Sequence, residues 1–203
     1  MDVQGTLFST AATPLGEDGF ERMTLTRGAW VDVRRDWLPD AEEVFATLVR
    51  DVPWHAERRQ MYDRVVEVPR LLHTYLGGDP LPHPALTACR EALSAHYADE
   101  LGEPFVTAGC AYYRDGRDSV AWHGDTIGRG KMADTMVAIV SLGDPRRLQL
   151  RPRGGGDSRA IEMGSGDLVV MGGSCQRTWE HAVPKVAAAG PRISVQFRPQ
   201  GVF

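Results

Sequence analysis

Trp122-His123-Gly124-Asp125 sets an imidazole and a carboxylate two residues apart. In an extended strand residues i and i+2 share a face, so both side chains can approach one cation. A further histidine, His181, stands 58 residues on, within Thr178-Trp-Glu-His-Ala-Val-Pro-Lys185. Two imidazoles and one carboxylate form a facial set that suits non-haem Fe(II) and leaves positions open for a co-substrate and dioxygen. On these residues alone, an iron site and a pair of ordinary structural histidines are equally good readings. His55, His73, His83 and His96 fall near loops or on helix surfaces and are assigned no role.

The segment Pro191-Arg192-Ile-Ser-Val-Gln-Phe-Arg198-Pro199 shifts that balance. Strand alternation puts Arg192 and Arg198 on one face, with Ser194 and Gln196 between them. Such a face could be a solvated edge. Two arginines following a candidate metal ligand also suit a dianionic co-substrate, because the guanidinium fork matches a carboxylate in bidentate fashion.

These residues need a scaffold, and the pattern around them supplies one. Residues 1–35 carry weak periodicity near Thr24 and Trp30, read as a strand or two wrapped onto the domain. Asp40-Ala-Glu-Glu-Val-Phe-Ala-Thr-Leu-Val-Arg50 reads as a helix, with Asp40 as its cap and Val44, Phe45, Leu48 and Val49 on one face. Residues 54–75 read as short strands, and a second helix is expected from about Pro84 to Leu101, with Gly102 as its stop. After Pro104, strand-like runs at 105–113, 119–122, 135–142, 148–151, 167–171 and 192–198 alternate with Gly- and Pro-rich turns. The expected class is α+β, a β-sandwich core preceded by helices.

The chain of 203 residues is long enough for one domain with an ordinary core. A net charge of −4 argues against duplex DNA binding by bulk charge. Lys131 and Lys185 are the only lysines, and the arginine bias is read as codon usage in a GC-rich genome, a reading compatible with arginine's fit to carboxylates and phosphates. Cys89, Cys110 and Cys175 are far apart and odd in number, which suits a reducing compartment rather than a disulfide framework or zinc knuckle. No secretory leader or membrane span is read, and a cytoplasmic monomer is expected.

With these residues in view, the sequence resembles the AlkB family of Fe(II)/2-oxoglutarate dioxygenases, and a bacterial member of it is expected. The match follows the family's order through Val68-Pro69-Arg70 with Tyr75, Tyr113-Arg-Asp-Gly116, the His123-Gly-Asp125 strand, Ser141-Leu-Gly143, Gly166-Asp-Leu-Val-Val-Met171, His181-Ala-Val-Pro-Lys185 and Arg192 to Arg198. It covers roughly residues 36–199. The resemblance implies a double-stranded β-helix (jelly-roll) core with N-terminal helices and a lid of short strands, in a single domain over 1–203. Residues 1–35 would be an extension, 36–103 the helices and nucleotide-recognition lid, and 104–199 the catalytic core.

It also implies roles. His123, Asp125 and His181 would hold Fe(II). Arg192 and Tyr113 would bind the distal carboxylate of 2-oxoglutarate, with Ser194 beside them and Arg198 near the metal-bound end. Tyr62 would stack on a flipped base or be an incidental surface residue. Tyr75, Trp122, Ile127 and Arg129 are the remaining candidates for the substrate pocket, with core packing an equal explanation for Tyr75 and Trp122. Arg58, Arg59, Arg64, Arg70, Arg129 and Lys131 would flank its mouth, either positioning phosphates or forming a solvated face.

Three positions depart from the family pattern. Its N-x-Y is Ala111-Tyr112-Tyr113 here, its R-x-N is Arg192-Ile193-Ser194, and the acid two residues beyond the liganding aspartate is Ile127, next to Gly128-Arg-Gly130. The activity implied is oxidative demethylation of bases such as 1-methyladenine or 3-methylcytosine in DNA or RNA, coupled to conversion of 2-oxoglutarate and O₂ to succinate. One alternative is the same chemistry on modified tRNA, a protein or a small metabolite. Another is a non-catalytic metal-binding β-sandwich, which would have no need of the arginine pair.

Overall fold

The computed structural model describes residues 19–61 and 64–202, leaving aside the side chains of 58–67. Tyr62 therefore lies outside the described residues, as do the side chains of Arg58, Arg59 and Arg64. The chain opens with strands β1 (Phe20–Thr24) and β2 (Ala29–Arg34), then helix α1 (Ala41–Asp51). A hairpin of β3 (His55–Met61) and β4 (Arg64–Tyr75) leads to helices α2 (Pro84–His96) and α3 (Ala98–Leu101). Next come β5 (Thr107–Tyr113), β6 (Val120–His123), β7 (Val137–Gly143), β8 (Arg146–Pro152), β9 (Arg159–Met163) and β10 (Leu168–Gly173). The short helix α4 (Cys175–Thr178), β11 (Trp179–Val183) and β12 (Arg192–Arg198) complete the described elements.

The strands form two antiparallel sheets, consistent with the jelly-roll fold expected. The larger runs β1-β2-β10-β7-β12-β5-β4-β3 and the smaller β6-β11-β8-β9. Strand alternation assigns the two faces of the large sheet. On β7, Val137 and Ile139 face the small sheet with Met171, Leu150 and Trp179, whereas Ala138, Val140 and Leu142 face the helices with Leu48, Leu86 and Leu93. On β12, Ile193, Val195 and Phe197 join the helical side, which turns Arg192, Ser194, Gln196 and Arg198 toward the small sheet.

Several local details differ from the sequence reading. Asp40 takes a left-handed conformation (φ 53°) and makes no side-chain cap; its carbonyl accepts the N–H groups of Glu43 and Val44 instead. Of the expected α1 face, Val44 and Leu48 are buried while Val49 reaches solvent. The second helix breaks at Tyr97 into α2 and α3, and Gly102 closes α3 at φ 73°, as expected of a left-handed stop. At its start the imidazole of His83 accepts the N–H of Ala85, giving that histidine a capping role. Strands β9 and β11 are absent from the sequence reading. Both are five residues long and mix polar with apolar side chains, so neither stands out by composition. None of the described helices is long and apolar enough to cross a membrane.

Candidate metal and co-substrate site

Sheet pairing, not sequence proximity, brings the two histidines together. His181 on β11 stands directly opposite His123 on β6, with ring centroids 4.2 Å apart. Asp125 follows β6 by two residues, and ligand atoms from all three lie within 4.8 Å of one another. His123 Nδ1 lies 2.9 Å from the carbonyl oxygen of Ala121. A proton there would donate to that oxygen and leave Nε2 as the free lone pair.

The electrostatics suit a cation. Burial by itself would raise the carboxyl of Asp125, but Arg198 and the two imidazoles outweigh it and hold the group at about 2. Arg198 donates through Nε to Asp125 Oδ2 at 2.7 Å. Burial, then His123, pushes His181 down to about 3, so its ring keeps a lone pair for a metal at neutral pH.

Two neighbours secure the liganding aspartate. Its backbone N–H donates to Gln176 Oε1 at 2.9 Å, which ties it to α4, the turn just before β11. Gly124 is required for that approach: a Cβ there would stand 2.5 Å from the carbonyl oxygen of Gln176. Arg198 similarly depends on Gly109, where a Cβ would lie 2.8 Å from its Nη1.

Between the sheets a cavity of about 70 Å³ runs inward from the three ligands, walled by Val137, Ile139, Leu148, Met163 and Val169. Arg192, only 2% exposed, lines it. Its Nε donates to Ser141 Oγ at 2.9 Å, while Nη1 is buried with no hydrogen-bond partner among the described residues. Burial lowers the affinity of this guanidinium for its proton. An uncompensated buried guanidinium is costly unless an anion joins it. Tyr113 also lines the cavity, its ring centroid 5.2 Å from the guanidinium carbon of Arg192 and 5.6 Å from that of buried Arg146. The donor set, the ionised aspartate and the unpartnered arginine nitrogen therefore fit a divalent metal and a chelating dicarboxylate.

A second, wider space of about 700 Å³ opens outward from His123 and Asp125. Trp122, Ile127 and Arg70 line it, Ile127 being 67% exposed. The structure does not bring every expected pocket residue here. Tyr75 lies three residues past Leu72, on the opposite face of β4, and packs with the helical core and the ring of His73. Arg129 donates to both carboxylate oxygens of Glu103 at 2.7 and 2.8 Å and to the carbonyl of Gln200, so it clamps the chain after Asp125 instead of lining the cleft. Lys131 is exposed beyond it and is likewise absent from the lining.

Gln176 escapes the sequence reading, as do site roles for Ser141, quoted there only within the Ser141-Leu-Gly143 match, and for Gln196, which donates to Ser194 and lines both spaces. Only the face shared with Arg192 signalled Gln196.

Residues 33–198 match the model of the 2OG-Fe(II) oxygenase superfamily. Among curated proteins, the chain is 31% identical to alpha-ketoglutarate-dependent dioxygenase alkB homolog 3 of Bos taurus, over 89% of this chain and 66% of that protein. It is 29% identical to the Homo sapiens counterpart, over 91% of this chain and 68% of that one. It is 30% identical to DNA oxidative demethylase ALKBH2 of Arabidopsis thaliana, over 54% of this chain and 42% of that protein. The chain thus spans about two thirds of the alkB homolog 3 relatives' length, and these mammalian and plant proteins do not bear on the bacterial source expected above. Because the matched span contains the His-Asp-His cluster and both arginines of β12, the chain belongs to the 2OG-Fe(II) oxygenase superfamily, whose chemistry uses Fe(II) and 2-oxoglutarate.

Proposed function

We propose that this enzyme removes N-alkyl groups from nucleic-acid bases, with 1-methyladenine and 3-methylcytosine in single-stranded DNA or RNA as its substrates. The observation that carries the reading is the wide cleft opening directly on His123 and Asp125, because a base must leave its stack to reach such a site. The names of the relatives support the same class: alkB homologues, one of them a DNA oxidative demethylase. The whole of 1–203 is read as one such domain, with 36–103 supplying helices and lid and 104–199 the core.

His123 Nε2, an Asp125 oxygen and a His181 nitrogen are the atoms that would hold Fe(II). When bound with 2-oxoglutarate and dioxygen, the metal supplies the oxidising chemistry that hydroxylates the alkyl carbon, with succinate as co-product. Arg198 keeps Asp125 ionised and turned toward the histidines. Arg192 offers Nη1 to the far carboxylate of the co-substrate while Ser141 fixes its Nε, and Tyr113 walls that end. The apolar side chains of the inner cavity keep bulk water from the co-substrate and fix its direction. Trp122, at the rim beside His123, offers an aromatic wall to a base.

The test is a paired assay of succinate and formaldehyde with Fe(II), 2-oxoglutarate and O₂, with and without methylated oligonucleotides. Formaldehyde release that depends on the lesion supports the reading. Succinate without lesion-dependent formaldehyde overturns it and leaves an oxygenase acting on another target.

A further inference from the structure

The metal ligands occupy one face of the small sheet, and a polar row lies directly behind them. Across β6, β11 and β8 the paired residues His123, His181 and Leu150 turn inward. Their chain neighbours Trp122, Glu180 and Arg151 take the opposite face by alternation. There Arg151 lies over the Trp122 ring, its guanidinium carbon 4.3 Å from the centroid. Glu180 stands opposite Arg151 in the β11–β8 register and accepts from its Nε and Nη2 on one oxygen, Oε2, at 3.0 and 2.9 Å. The other oxygen accepts from Arg153 Nη1 at 3.5 Å. Arg153 in turn stands against the residue after His123, since a Cβ on Gly124 would lie 2.6 Å from its Nη2. One carboxylate thus orients two arginines, which cover the residues on either side of His123.

His123 needs such support because its strand has little of its own. β6 is four residues long and stands at an edge of the small sheet. Its pairing with β11 registers at His123 with His181 and at Val120 with Val183, with a shift between them. In so short a ladder, cross-strand side-chain pairs carry much of the placement. The Trp122–Arg151 contact ties β6 to β8, on the far side of β11, and so bypasses the irregular ladder. The ion pair itself is partly exposed, Arg151 at 41% and Glu180 at 21%, and such pairs contribute little on their own. Its effect is to fix the guanidinium over the ring, where the aromatic face attracts a cation.

We propose that Arg151 is a positioning residue for the metal centre: oriented by Glu180, it holds Trp122, and with it His123, opposite His181 before a metal binds. The inference rests on the metal ligands and is independent of the substrate.

The experiment uses the metal-free protein and Co(II), a redox-stable substitute for Fe(II). Arg151→Ala should weaken Co(II) binding by about two- to fivefold, the worth of a cation–π contact at a partly exposed site. It should also hasten amide hydrogen exchange at residues 120–123 of the metal-free protein while leaving β9 unchanged. The sign is diagnostic, because removing a positive charge near a cation site would by itself tighten cation binding. Arg151→Lys, which keeps a cation for the ring, should recover part of the affinity. In a Trp122→Ala background Arg151→Ala should cost nothing further, since both act through one contact. Unchanged or tighter Co(II) binding in Arg151→Ala overturns the assignment, as do additive losses in the double variant. A lower Tm at unchanged Co(II) affinity, or exchange hastened equally in β9, also overturns it and leaves the row as ordinary sheet packing. Absence of Co(II) binding by the wild-type protein overturns the metal site itself, and this inference with it.

Discussion

The inner cavity and the outer cleft share part of their walls, including His123, Asp125, Arg70 and Arg198, yet they are built by different means. The inner cavity is lined mainly by strand residues whose direction follows from alternation; of its ionisable groups Asp125, His181 and Arg192 are buried, and Arg70, His123 and Arg198 are partly so. The outer cleft is bounded by a bulged hairpin and by the irregular chain around Thr126 and Ile127. Regular strands fix a small co-substrate tightly. Bulges and loops let the substrate side change without disturbing the metal chemistry, which is why departures from the family pattern at Ile127 need not cost turnover.

The largest expected effect removes what the two spaces have in common. His123→Ala, Asp125→Ala and His181→Ala should each reduce succinate formation to the no-enzyme level while far-UV circular dichroism keeps its β-rich form, since loss of one ligand from three sharply weakens Fe(II) binding. Full turnover in any of them would break the shared-floor arrangement.

The next effect is confined to the inner space. Arg192→Ala should raise the KM for 2-oxoglutarate by about tenfold or more, because it deletes a charge-assisted bond to a carboxylate. Arg192→Lys should recover part, keeping the charge without the fork. An unaltered KM in the alanine variant would remove the basis for calling the inner cavity a co-substrate site.

A smaller effect belongs to the outer space alone. Ile127→Asp should shift the preference between 1-methyladenine and 3-methylcytosine a few-fold, at unchanged 2-oxoglutarate KM, because an apolar wall discriminates poorly where a polar partner discriminates well. A change in co-substrate KM without a change in lesion preference would mean the two spaces are not separable.

The smallest effect concerns the turn between Tyr113 and β6. Burial tends to raise the carboxyl of Asp118, but Arg114, through its side chain and its backbone N–H, pulls it below the usual carboxylate range. A folded-state value below the unfolded one gives stability that is present above pH ~4 and lost as pH falls through the folded value. Arg114→Ala should therefore lower the Tm by a few degrees at pH 7 and lessen the further loss on acidification below pH ~4. Parallel Tm curves for the two proteins in acid would contradict it.

Much of this is legible in the amino-acid sequence, for reasons particular to each residue. The last strand announces its polar and apolar faces by alternation, and Arg192 and Arg198 followed from it. For Tyr75 a pocket wall and core packing are equal readings of the sequence, and parity with Leu72 sends it to the helical core. Ser141 was illegible because its contact with Arg192 depends on pairing between β7 and β12, and Gln176 because it sits on a four-residue helix with no periodic signal. The departures at Ala111 and Ser194 look independent along the chain. Register shows them to be one place: Ala111 faces Ser194 across β5 and β12, with Ser141 on the other side of Ser194. Two small side chains thus meet on the cavity wall where the family pattern sets two amides.

The position of β6 at the rim of the small sheet has a consequence for handling the protein. This four-residue strand meets its single neighbour at His123 with His181 and at Val120 with Val183, with a register break between. So short an outer strand holds few ladder bonds, and a loosened sheet margin is a template on which a second chain can pair. An ion gripped at His123 and His181 would rivet the strand to its neighbour through side chains rather than backbone. Preparations stripped of iron by chelators or slow oxidation would then lose colloidal stability as well as turnover, with self-association starting at this margin.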